Sequence, residues 1–190
     1  NQERITKSRA FAVDSKVIES REYADKFDLM ANSPQERREF LKAAKELLQH
    51  RSGQNGEDLY LYNRDRQTWV KSVTGSKPGT PEYTQEIRSA ISKAKAKTEQ
   101  VVAFHNHPGS MPPSIEDINV SVQNGYAVGY VLCHDGTIYK YSAPKEAIAR
   151  TIYEMRVDSF KVEGYNEREA QLMAMKYLSE YYDFVFKEVK

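Results

Sequence analysis

The segment that most restricts how this chain can fold is the apolar run Gln100-Val101-Val102-Ala103-Phe104-His105, which ends in HNHPGSMPPSIED. A short continuous apolar run of this kind makes a buried strand. Pro108 biases His107 toward extended backbone, and Pro112 and Pro113 stiffen the loop beyond it. Ser114 then caps a short helix that is expected to stop near Gly125. Strand, stiff loop and capped helix in that order fit a sheet with helices packed on it.

The rest of the chain agrees. Ser33, Pro34 and Glu36 open a helix with a capping-box pattern. Phe40, Leu41, Ala44, Leu47 and Leu48 recur along it at helical spacing. Asp58 to Tyr62 and Trp69 to Val73 read as paired strands. Thr80 and Pro81 are expected to start a second helix, with Ile87, Ile91 and Ala94 on one face. Val128 to His134 and Thr137 to Tyr141 flank Asp135-Gly136, a strong hairpin signal. Pro144 is expected to start a further helix. Asn166 is expected to cap the last, whose apolar face runs from Leu172 to Phe186. The expectation is an α/β domain over residues 33–143 with a mixed sheet, an N-terminal arm or linker over 1–32, and a C-terminal helical extension over 144–190.

The site segment carries chemistry. Residues i and i+2 of a strand point the same way, so His105 and His107 can meet one ion. Asp117, in the first turn of the next helix, can complete the set. Two neutral imidazoles and a carboxylate suit zinc and leave a fourth position for water. The Ser114 hydroxyl can accept a bond from the helix N-terminus and still donate its proton outward, beside an oxyanion as it forms.

His105-Asn106-His107-Pro108 followed by Pro113-Ser114-Ile115-Glu116-Asp117 resembles the motif of the JAMM (MPN or JAB) zinc metalloproteases, HxHP with a downstream SxxD. The HNHP and PSxxD forms are most similar to the RadC-type branch. By element order the resemblance covers roughly Glu57 to Tyr141, and only the motif segment is specific. Nine residues separate His107 from Asp117, one fewer than in many members. The resemblance implies a cytidine-deaminase-like sheet, one zinc held by His105, His107 and Asp117, and hydrolysis of a peptide or isopeptide amide. It implies a protein or peptide substrate, a ubiquitin-like conjugate among the candidates. The family's general base is a glutamate before an early strand, a position matched by Glu57. Glu82 and Glu86 are rivals on an expected helix face. The arm and the stretch from Gly125 to Tyr141 are also similar to domains attached to phage minor head proteins, which implies a peptidase or effector carried by a phage or mobile element.

Other residues read as structural. Cys133 and His134 diverge in a strand and make no nucleophilic pair, so Cys133 is expected in the core. His50 is expected at a helix end as a dipole partner or plain surface. A net charge of +1 gives no bulk attraction to nucleic acid or an anionic membrane. The single cysteine excludes an internal disulfide and points to a reducing, cytoplasmic setting. No apolar run approaches a membrane span. The chain begins at Asn1 without a methionine, as expected of a fragment or processed product. Two rival readings remain: a non-catalytic interaction scaffold on the same fold, and a DNA-related role of the RadC kind, which the charge does not favour.

Overall fold

The computed structural model of the chain describes residues 3–190. Its strands are β1 (Leu59–Asn63), β2 (Thr68–Ser72), β3 (Val101–His107), β4 (Val128–Cys133), β5 (Ile138–Tyr141) and β6 (Phe186–Glu188). They form one mixed sheet in the order β2-β1-β3-β4-β5-β6. Its helices are α1 (Ser15–Ile18), α2 (Arg21–Lys26), α3 (Pro34–Arg51), α4 (Gln85–Ala96), α5 (Ile115–Asn124), α6 (Arg150–Val162) and α7 (Glu167–Tyr181). The expected mixed α/β architecture is therefore present. Every neighbouring pair of strands is antiparallel except β3 and β4. A parallel pair needs a crossover connection, and α5 supplies it.

The period-two alternation of each strand divides the core into two sides. Tyr60, Tyr62, Val102, Phe104, Tyr130 and Leu132 pack against α3. On the other side Leu59, Leu61 and Ala103 meet α4, while Val131, Cys133, Tyr139 and Tyr141 meet α5, α6 and α7. Phe40 of α3 is fully buried, with edge contacts to Tyr62 and Phe104 at ring separations of 5.2 and 4.9 Å. Truncating such a ring to alanine costs about 3–5 kcal/mol.

Local signals acted as expected at several ends. The Ser33 Oγ accepts from the Glu36 amide, and Asn166 and Glu169 form a reciprocal capping box. Gly136 takes a φ of +91° in the β4–β5 hairpin. Elsewhere tertiary context moved the boundary. The second helix begins at Gln85, not Thr80, because the Thr84 hydroxyl takes the Ile87 amide, while the backbone before it is held by the Ser72 hydroxyl donating to the Glu82 carbonyl. The helix expected at Pro144 begins at Arg150. Phe186 lies beyond the last helix, in strand β6 paired to β5.

Residues 15–30 pack onto the sheet. Ile18, Tyr23, Phe27 and Met30 are buried in the cluster that holds Phe40. Among the described residues no helix is long and apolar enough to cross a membrane.

Candidate metal centre

Strand register brings the site together. β3 is interior, between β1 and β4, and its last residues lie where the chain turns into α5. Because β1 runs antiparallel to β3 with Leu59 opposite His105, continuing the register sets Glu57 level with His107. Carboxyl ends of parallel strands beside helix N-termini are a common place for ligands in α/β sheets.

The Nε2 atoms of His105 and His107 are 3.1 Å apart, and Asp117 Oδ2 lies 3.3 Å from each. Tetrahedral zinc bonds of about 2.0–2.1 Å would separate neighbouring donors by about 3.3–3.4 Å. The three donor atoms are therefore close enough together for one metal ion to meet them all. Their supports fit it too. The His107 Nδ1 sits 2.8 Å from the Met111 carbonyl oxygen, which accepts its proton and turns Nε2 toward the other donors. Asp117 is fixed by the helix start: its Oδ2 accepts from the Ser114 amide at 2.8 Å, and the Ser114 Oγ accepts from the Asp117 amide at 3.1 Å.

Glu57 closes the fourth side. Ligand atoms of Glu57, His105 and His107 all lie within 4.8 Å of one another, a grouping that could hold a metal ion. The glutamate is 5% exposed. Burial pushes its carboxyl above the usual range, against the downward pull of His107 and His105. Burial disfavours the His107 imidazolium, but the hydrogen bond and charge of Asp117, with Glu57, raise it to about 9. Burial would raise Asp117; His105 and His107 more than offset it and hold that carboxylate well below its ordinary value.

Two cavities flank this centre and share Gly79, Ser114 and Asp117. One, of about 350 Å³, lies on the His105 side. The other, of about 390 Å³, lies on the His107 and Glu57 side and is walled by Phe11, Pro78, Met111 and Gln171.

The opposite face of the same strand holds a second polar group, which the sequence did not reveal. Asn106 is fully buried. Its Oδ1 accepts from the Asp58 amide at 2.8 Å, and its Nδ2 donates to the Gly56 carbonyl at 3.0 Å and to His134 Nε2 at 2.9 Å. It thus grips the backbone on both sides of Glu57. His134 must accept at Nε2, so its proton is on Nδ1, donated to the Phe11 carbonyl at 2.6 Å. Burial, lowering its pKa, suits that neutral form. Asp58, also fully buried, meets Arg51 Nε at 2.7 Å and His50 Nδ1 at 2.6 Å. Arg51 continues to the carbonyls of Val73 and Gly75. A Cβ at Gly56 would come within 2.4 Å of Arg51 Nη1 and 2.6 Å of Ile5 Cδ1, so a larger residue there would have to displace the Arg51 guanidinium and the Ile5 side chain.

The other candidates fall away from the centre. Glu82 is exposed and accepts from the Thr74 hydroxyl, and exposed Glu86 lines a separate cavity between α4 and β1. Cys133 is buried, and burial drives its thiol far up.

No protein-family profile, curated protein or solved structure matches the chain.

Proposed function

We propose that the chain is a zinc-dependent hydrolase of the JAMM type that cleaves a peptide or isopeptide amide. The observation that carries the reading is the convergence of His105, His107 and Asp117 at tetrahedral-edge separations, with a buried glutamate beside them. The resemblance of the HxHP and SxxD segments to that family agrees with it. A bound zinc ion would polarise the scissile carbonyl and lower the pKa of a coordinated water.

The chain's own groups supply the rest. The buried Glu57 carboxyl, its affinity for a proton raised, can take a proton from water and pass it to a leaving amine. The Ser114 hydroxyl oxygen accepts from the Asp117 amide, and its proton can be donated to an oxyanion beside the metal. Asn106 and Arg51 hold the backbone on which Glu57 rides.

The test is to assay zinc-loaded protein on a panel of linear peptides and ubiquitin-like conjugates, with Glu57→Gln and Asp117→Ala beside it. Cleavage that needs zinc, Glu57 and Asp117 is expected. A zinc-bound wild type that cleaves nothing across the panel would leave the fold as an interaction scaffold.

A further inference from the structure

The His105-side cavity differs from its neighbour in what encloses it. Its floor is sheet, Leu59 of β1 and Ala103 of β3. Its walls are Val120 of α5 and the rings of Tyr83, Tyr126 and Tyr141. None of the six carries a charge. Asn124 Nδ2 donates to the Tyr126 hydroxyl at 3.0 Å, so that hydroxyl is already partnered. Tyr141 is buried, its ring 6.4 Å from that of His105. It reaches this place only because its β4 neighbour is Gly129, where a Cβ would lie 2.1 Å from the ring.

The rim is the reverse of the interior. Glu116 and Arg150 form an exposed ion pair there at 3.0 Å. Gly79, with nothing within 4 Å of where a Cβ would be, leaves the edge open. An apolar chamber of about 350 Å³ with a charged rim, opening beside His105 and Asp117, has the size and lining of a small ligand pocket. A charged side chain seated among those six residues would lose its water and meet no opposite charge there.

Building on the hydrolase reading above, we infer that this cavity is the specificity pocket of the site: it receives a large apolar side chain, aliphatic or aromatic, on the residue adjoining the scissile amide. The substrates are then proteins or peptides with such a residue at that position, its backbone held at the rim.

Hydroxamates test this without a known substrate, because they chelate zinc and carry a chosen side chain toward the pocket. Calorimetry of the zinc-loaded protein would compare methyl, isobutyl, benzyl and aminobutyl hydroxamates. Isobutyl or benzyl should bind at least tenfold more tightly than methyl, and aminobutyl should gain nothing. Val120→Trp, which fills the chamber, should reduce that gain below threefold. Tyr83→Ala, at a partly exposed wall outside the sheet, should reduce it independently if the tryptophan is not tolerated. Equal affinities across the series, no binding by any member to zinc-loaded protein, or a gain untouched by both variants would overturn the pocket while leaving the metal centre standing. Failure of the protein to take up zinc would instead remove the hydrolase reading, and this inference with it.

Discussion

At the end of β3, alternate residues face opposite sides and do opposite things. Asn106 points into a group in which each polar atom of its amide has a partner, with Asp58, Arg51 and His134 saturated around it. His105 and His107 point into a group whose donor atoms have mainly one another, at 3.1–3.3 Å. A saturated buried network holds shape, and breaking it exposes uncompensated charge. A convergent set whose donor atoms are left mainly to one another, unsaturated in that sense, could hold a metal ion. The comparison separates the residues that build this site from those that use it, although they alternate along a single strand.

That separation can be broken by mutation. The largest effect is expected from Asp117→Ala on the unsaturated side. It should abolish zinc retention, read by elemental analysis after gel filtration, and with it all hydrolysis, while the chain stays folded. Arg51→Ala on the saturated side should do the reverse. It leaves Asp58 buried with only His50 as a side-chain partner, so urea denaturation should show a loss of about 3–5 kcal/mol, with zinc stoichiometry kept in the folded protein. A variant of Arg51 that kept its stability but lost zinc would erase the distinction.

Glu57 lies between the two groups and sharpens the comparison. Glu57→Gln preserves size and removes the titrating group. Zinc content should stay at one per chain while the rate falls about a hundredfold to ten-thousandfold. If zinc is lost as well, Glu57 belongs with the ligands. The smallest effect is expected from Ser114→Ala, with metal retained, stability down by about 1 kcal/mol through the lost cap, and a rate loss smaller than that of Glu57→Gln.

The unsaturated side was legible in the sequence because it is local. His105, His107, Ser114 and Asp117 fall within thirteen residues of one strand, loop and helix start, where side-chain direction comes from backbone periodicity. The saturated side was not, since Arg51 at the end of α3, Asp58 before β1, Asn106 in β3 and His134 after β4 meet only through tertiary packing. His50 in the last turn of α3 reads as a dipole partner or plain surface, His134 only as a strand residue that makes no nucleophilic pair with Cys133, and nothing local marks Arg51. The same holds for the His105-side cavity, whose three tyrosines come from a loop, the residue pair after α5 and β5. Strand β6 was hidden because Leu172 to Phe186 keeps an apolar rhythm past the true end of α7 at Tyr181. Pairing with β5, a long-range contact, makes the last residues extended.

The central claim is that the three side chains facing away from the saturated network bind one metal ion. Anomalous diffraction at the zinc edge, from crystals of protein purified without chelator, tests it most directly. The expected result is a single peak about 2.0–2.2 Å from His105 Nε2, His107 Nε2 and an Asp117 carboxylate oxygen, with Glu57 close by and unbonded. No peak there, or a peak closed by Glu57 as the fourth protein ligand, would contradict it.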